Sequence, residues 1–341
     1  MWAKKQKNIP AVELVKATTA EVCLHAEDVK INDAAINKFC ETFNSDELCN
    51  WWSATPFDFS DLTVHEKINL LFVFNSISFC YWGEPKWTLT YQGKKYDGTW
   101  ALLGALRRAL DSDKLIITPT KLKDIDVNTV SYILRGEGQI PLLKERTSYW
   151  KELGEIVTRK FNGNFYNVVY GCASASELLD LVIYEFPLFY DSSKKMLPCG
   201  NSSPKNGVRE IEVHFHKRAQ LLVHDICSFL HQNKIFLLRG EEDLTGCADY
   251  KIPQVLRYMG ILSFSQRLCD IVDRQVLIPH GSREELEIRA CTIQALLIIT
   301  DKLKMNNPTI SAMSMNDYFW LMGQSMKKDA CPYHRTLTTA Y

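Results

Sequence analysis

The chain has no charge excess. Its 40 Lys and Arg residues balance 40 Asp and Glu residues. Gripping a nucleic-acid polymer takes a basic footprint, so that class is excluded as the main activity, whereas a local basic pocket for one phosphate is not. No apolar run reaches transmembrane length, and Met1-Trp2-Ala3-Lys4-Lys5 leads into no apolar signal core. The 11 cysteines contain no Cys-x-x-Cys pair and no zinc-finger spacing. Their number is odd, and several, such as Cys40, Cys80, Cys227 and Cys291, stand singly in apolar segments. Reduced thiols in a cytosolic protein are the simplest account, which makes Asn201-Ser202-Ser203 a polar loop rather than a glycosylation site. His214, His216 and His224 do not assemble a complete ligand set, so no metal is expected.

What is present reads mostly as helix, with enough apolar residues for a sizeable core. Trp100 to Leu110 carries apolar residues at helical spacing, with Arg107 and Arg108 on the outer side. Ser174 with Glu177 has capping-box spacing and opens a helix that Pro187 stops. Ser282 with Glu285 repeats the signal before Leu286, Ala290, Ile293 and Leu297, which share one face. Lys217 to Leu230 and Pro253 to Val272 are predicted as buried helices. Strand signals are few. Thr88 to Tyr91 and Lys95-Tyr96 flank a turn at Gln92-Gly93-Lys94, and Ile211, Val213 and Phe215 alternate with polar residues ahead of Lys217. Residues 192–207, rich in Ser, Pro, Gly and Lys, are predicted to be a mobile inserted loop. With no repeat and no clean linker, residues 1–341 read as a single, mainly α domain with a small β-hairpin and short strand additions.

One segment carries chemistry. Cys247-Ala248-Asp249-Tyr250-Lys251-Ile252-Pro253 places a carboxylate on a loop that feeds a helix start, since proline suits a first turn. Such a carboxylate is a helix cap or a group held for catalysis, because helix-start N–H groups fix anions.

Asp249-Tyr250-Lys251-Ile252-Pro253-Gln254-Val255-Leu256 resembles the catalytic motif of the queuosine salvage proteins, the queuosine 5'-phosphate N-glycosylases. Further segments resemble the family in the same order: Tyr91 to Tyr96 with Gly98 and Trp100, Phe215-His216-Lys217-Arg218-Ala219-Gln220, Glu287-Ile288-Arg289, Asp317-Tyr318, and Pro332-Tyr333-His334-Arg335. The likeness spans roughly residues 12 to 341. It implies a helical fold similar to the DNA glycosylases and a cofactor-free N-glycosyl hydrolase that releases queuine from a free nucleotide. Asp249 would face the cationic sugar that forms as the glycosidic bond breaks.

Asp317 would hold the guanine-like edge of the base, with Tyr318 packing on or bonding to it. The other reading makes Asp317 a surface cap or ion pair and Tyr318 core. Lys217, where a strand gives way to a helix, and Lys251 are the cations for a 5'-phosphate. Lys217 reads equally as a solvated helix start. Asn75, Ser78, Phe79 and Trp82 resemble a pocket-wall segment, and as aromatics Phe79 and Trp82 fit a core as well. Glu287 and Arg289, two apart on a helix, do not face each other and are expected to pair with other helices as structural anchors.

Three positions depart from the family pattern. Cys247 replaces a usual phenylalanine, Met322 a usual acid, and Thr55-Pro56 lies where a pocket histidine is usual. They motivate two alternatives, a non-catalytic nucleoside- or nucleobase-binding protein of the same fold and a glycosylase for another nucleotide. The oligomeric state is not legible.

Overall fold

The structure, a computed structural model, describes residues 9–198, 207–326 and 331–341. It is mainly helical, with three small antiparallel two-stranded sheets among the described residues. By internal contacts the chain divides into two compact units.

The first unit takes residues up to Trp51, Asp191–Gln220 and Gly240–Leu337. Its central element is the Arg283–Lys304 helix. Ser282 caps it, accepting from the Glu285 N–H at 3.4 Å, while the Glu285 side chain accepts from the Gly281 N–H at 3.0 Å. The Ala11–Leu24 helix packs along it, and the Lys251–Tyr258 and Ala312–Ser325 helices pack against it and each other. Ile252, Val255, Leu256, Ile288, Leu296, Met315 and Phe319 share one core cluster, and Val15, Val213, Phe215, Ala290 and Ile293 a second. Burying each such side chain contributes roughly 1.5–3 kcal/mol, which holds short segments such as the eight-residue Lys251–Tyr258 helix where propensity alone would not.

Two sequence expectations fail in this unit. Pro253 to Val272 is not one helix. The Lys251–Tyr258 helix ends, Gly260 turns the chain at φ 71°, Leu262–Phe264 pairs with Val29–Ile31, and a new helix, Gln266–Asp273, follows a Ser265 cap. The apolar run is continuous, but glycine relieves the left-handed turn and the Ser265 hydroxyl offers a fresh helix start. Nor are residues 192–198 a loop. Ser192–Pro198 forms a strand paired with Val208–His214, with Leu197 turned into the second core cluster. The remainder of the expected loop, up to residue 206, lies outside the described residues.

The second unit takes Trp52–Tyr190, Leu221–Arg239 and Thr338–Tyr341. The predicted hairpin is present as Thr88–Tyr91 paired with Lys94–Asp97, with Gln92 and Gly93 both at positive φ in the turn. The helix predicted over Trp100 to Leu110 runs from Gly98 to Ser112. Arg107, expected on its outer side, is instead buried against Asp61 and Asp111. Its apolar stem lies in the core while its fork reaches two carboxylates, a burial that spacing alone does not reveal. Ser174 caps Ala175–Glu185 as expected.

Candidate active site

The site grows from a strand that turns into a helix. Val208–His214 ends, His216 takes a left-handed conformation at φ 51°, and the Lys217–Gln232 helix begins. A histidine in that region is strained, and Asp191 holds it there. The Asp191 carbonyl accepts from the N–H groups of Phe215 at 3.0 Å and His216 at 3.2 Å, and the Asp191 N–H donates to His216 Nδ1 at 3.3 Å. Burial pushes the His216 imidazole down to about 4, so the ring is neutral near pH 7 and Nδ1 is free to accept. The Lys217 N–H then donates to Asp191 Oδ2 at 3.2 Å.

The Lys217 side chain is 6% exposed. Burial draws its pKa below the ordinary lysine value, and the nearby Asp249 carboxylate opposes that fall. Among the described residues the ammonium makes no ion pair or hydrogen bond. Its pairing needs are therefore unmet by the fold, which is unusual for a buried charge.

Asp249 arrives on residues 245–252. This loop is bolted at its start by a reciprocal clamp: Gln220 Nε2 donates to Thr245 Oγ1 at 2.9 Å, and the Thr245 N–H donates to Gln220 Oε1 at 2.9 Å. Gly246 follows at φ 78°, where a Cβ would lie 2.9 Å from Leu296 and 3.2 Å from the Ala312 carbonyl, so no other residue fits. The Cys247 N–H donates to Asn316 Oδ1 at 3.0 Å, and its thiol to the Lys217 carbonyl at 3.4 Å. Asp249 is 8% exposed, and its Oδ1 accepts from the N–H groups of Lys251 at 2.7 Å and Ile252 at 3.0 Å. The expected helix-start position is thus observed. One oxygen orients the carboxylate, and the other accepts no hydrogen bond among the described residues.

A buried ion pair lies beneath both segments. Arg289 donates to both Asp191 oxygens, at 3.0 and 2.6 Å, its Nε donates to the Ala248 carbonyl at 3.3 Å, and its guanidinium stacks 3.9 Å from the Phe215 ring centre. Glu287 accepts from the N–H groups of Glu27 and Asp28 and pairs with Lys195 at 3.3 Å. Both residues are anchors, but they hold loop segments and the Ser192–Pro198 strand rather than other helices as expected.

The remaining candidates divide. Asp317 sits mid-helix in Ala312–Ser325, 1% exposed, with Oδ2 accepting from the Trp51 N–H at 3.1 Å. It is neither a cap nor a surface residue. Its neighbour Asn316 binds Cys247, so the helix is docked onto the Asp249 loop. Tyr318 faces elsewhere. Its hydroxyl donates to Glu47 at 3.2 Å and its ring meets Phe43 edge-on at 5.2 Å. Met322 packs on the first core cluster. The Lys251 ammonium donates to Gln254 Oε1 at 3.1 Å and the Gly323 carbonyl at 3.3 Å, and lies over the Tyr333 ring, bracing two helices. Cys247 is buried and holds the Lys217 carbonyl rather than offering a surface to stack on. Asn75 lies in the second unit, where it donates to Asp225 Oδ2 at 2.8 Å. No group of three His, Cys, Asp or Glu residues suited to a metal occurs among the described residues.

Sequence reasoning missed Asp191, Asn316 and Trp51. Each acts through a contact with a distant segment, and no local pattern marks them.

The arrangement is a fixed carboxylate and an uncommitted cation at the starts of two helices, able to meet a developing positive charge and an anion. Comparison with known proteins gives the family. Residues 59–341 match the family model described as queuosine salvage protein. A relative from Sphaerobacter thermophilus, named queuosine 5'-phosphate N-glycosylase/hydrolase, is 34% identical over 96% of this chain and 97% of its own. Relatives of the same name from Bos taurus and Dictyostelium discoideum are 31% identical over 82% of this chain and 83% of their own, and 27% identical over 96% and 98%. The chain belongs to the queuosine salvage protein family.

Proposed function

We propose that this protein is an N-glycosyl hydrolase that converts queuosine 5'-phosphate and water to queuine and ribose 5-phosphate, returning the base for tRNA modification. The match along nearly the whole length of relatives bearing that name carries the reading. As the bond between the anomeric carbon and the base nitrogen breaks, its electron pair leaves with the base and the ribose becomes oxocarbenium-like. The free oxygen of Asp249 faces that charge, and its other oxygen, already held by two N–H groups, keeps the carboxylate from rotating. Such preorganised electrostatics typically supply 10²–10³-fold in rate, about 2.7–4 kcal/mol. Water then adds its oxygen to the anomeric carbon, and the proton it gives up ends on the departing base nitrogen, so that queuine leaves neutral.

The base has a carbon where purines carry a protonatable ring nitrogen, so stabilisation must come through its guanine-like edge. Asp317 suits this: its carboxylate is buried in the middle of the Ala312–Ser325 helix, and a carboxylate can accept from a ring N–H and an exocyclic amine together. The Tyr318 hydroxyl is engaged by Glu47, which leaves Asp317 as the base-binding group on that helix. Lys217 takes the 5'-phosphate. Lys251, Met322 and Cys247 shape and brace the site. Zero net charge favours a free nucleotide over tRNA. No described helix is long and apolar enough to cross a membrane, and we place the activity in the cytoplasm. We also take the helical framework to be of the DNA-glycosylase kind, on the family likeness.

The test is incubation with queuosine 5'-phosphate and chromatography for released queuine. The wild type should form queuine stoichiometrically with ribose 5-phosphate, and Asp249→Asn should lose at least ~100-fold in kcat. Wild-type rates in that variant would remove Asp249 from the chemistry. Tight binding by the wild type without product would instead make it a binding protein.

A further inference from the structure

We propose that the buried Asp191–Arg289 pair is a positioning element, which sets the distance between the Asp249 carboxylate and the Lys217 ammonium. This rests on the roles given above to those two residues. Neither Asp191 nor Arg289 is offered as touching substrate.

The two reactive groups come from segments that share no local structure. Asp249 follows Ala248, whose carbonyl is held by Arg289 Nε at 3.3 Å. Lys217 starts its helix with its N–H on Asp191 Oδ2 at 3.2 Å. Arg289 and Asp191 are joined by two parallel hydrogen bonds at 3.0 and 2.6 Å. The path from one active backbone to the other is therefore Ala248 carbonyl, guanidinium, carboxylate, Lys217 amide, and its two side-chain ends are both buried and joined to each other by two hydrogen bonds. Phe215, two residues before Lys217, closes the unit by lying flat under the guanidinium at 3.9 Å.

The chemistry of the pair favours geometry over stability as its purpose. Apolar residues of similar volume often replace a buried ion pair with no loss of stability. They cannot, however, hold a carbonyl and an amide at once. The ion pair can: the guanidinium's donors, fixed in direction, take the carbonyl, and the carboxylate accepts from the amide. The pair is also held ionised. Burial pushes the Asp191 carboxyl up, but Arg289, His216 and the Lys217 amide bring it to a net position below the usual carboxylate range. Glu285, 3.6 Å from Arg289 Nη1 and 3.4 Å from His280 Nδ1, adds negative charge on the far side. The guanidinium is thereby drawn from two directions and cannot swing.

The experiment uses queuosine 5'-phosphate as substrate and compares wild type, Asp249→Asn, Arg289→Lys, Phe215→Leu and the Arg289→Lys/Asp249→Asn double variant. Lysine at 289 keeps the charge but not the fork, so it cannot serve both Asp191 oxygens and the Ala248 carbonyl. Small misplacements of reacting groups lower rates by up to ~100-fold. Arg289→Lys should lose roughly 10–100-fold in kcat with a smaller change in KM, and should keep a cooperative thermal transition. In the Asp249→Asn background it should cause little further loss, because its effect passes through Asp249. Phe215→Leu keeps the core apolar while freeing the guanidinium, and should lower kcat by about 3–10-fold. It decides the matter if Arg289→Lys fails to fold. A kcat within twofold of wild type in folded Arg289→Lys, or in Phe215→Leu where the former does not fold, overturns the proposal. So does an additive loss in the double variant. Wild-type activity in Asp249→Asn would instead overturn the assignment of Asp249, which separates the two failures.

Discussion

Arg146 and Lys217 are both buried cations, and the protein treats them in opposite ways. In the second unit, Arg146 is 0% exposed. Its Nε donates to the Pro141 carbonyl at 2.8 Å, its Nη1 to the Ile77 carbonyl, and its Nη2 to the carbonyls of Phe79 at 2.6 Å and Cys80 at 2.9 Å. The Phe79 ring lies under the fork at 4.3 Å. In the first unit, Lys217 is nearly as buried, yet its ammonium has no partner among the described residues. Arg146 satisfies the carbonyls of Ile77, Phe79 and Cys80, which follow the Val64–Ser76 helix, and that of Pro141, which precedes its own Leu143–Lys160 helix. Lys217 leaves its donors free at a helix start, beside a carboxylate that supports its charge. A buried charge whose hydrogen bonds are complete belongs to the fold. One whose hydrogen bonds are left open marks a place for a ligand.

The contrast breaks if the two cations respond alike to removal. Arg146→Met should be the more damaging change to stability, at about 3 kcal/mol or more, since several buried carbonyls lose their donors at once. The kcat per folded molecule should stay at the wild-type value. Urea unfolding with active-site titration checks this, and an unchanged midpoint would remove Arg146 as an anchor. Lys217→Met should do the reverse. Its unfolding midpoint should hold or rise, because a buried ammonium with no hydrogen-bond partner among the described residues is gone. Its kcat/KM for queuosine 5'-phosphate should fall about 10–100-fold, as expected for losing one charge-assisted contact. Destabilisation with intact kcat/KM would show that the lysine is structural after all.

A smaller effect sharpens the account of the turn that presents Lys217. The His216 pKa is about 4 in the folded protein against an ordinary 6.5. Between those values the unfolded chain binds more protons than the folded one. Stability is therefore full above about pH 6.5 and is lost as the pH falls towards 4. His216→Asn should keep the left-handed turn, which asparagine tolerates, while removing this titration. The variant should lose about 1–2 kcal/mol less than wild type between pH 7 and pH 5, measured by urea midpoints at each pH. Parallel pH profiles would mean that the imidazole titrates normally in the fold.

Legibility in the sequence followed the range of each interaction. The hairpin at Gln92-Gly93, the Ser174 and Ser282 caps and the strand ahead of Lys217 rest on residues within a few positions of one another, and all were readable. The placement of Asp249 at a helix start was readable for the same reason. Arg107 was misplaced because its carboxylates come partly from Asp61, 46 residues away. The 192–198 segment was misread because its polar composition hides a pairing with residues 208–214 that burial of Leu197 rewards. Tyr318 and Asp317 are adjacent in sequence and were read together, yet a helix turns consecutive side chains by about 100°, which sends one towards Glu47 and the other towards Trp51.

By itself, then, the sequence determined the helical class, the family and the placement of Asp249 at a helix start, because periodicity, caps and short motifs are local properties of the chain. The tertiary structure alone decided which charges are satisfied. It gave Lys251 to a helix brace, left the Lys217 ammonium open, and joined Asp191 to Arg289 across 98 positions. Burial and hydrogen-bond completion depend on what the rest of the fold brings alongside, and no segment read alone contains that information.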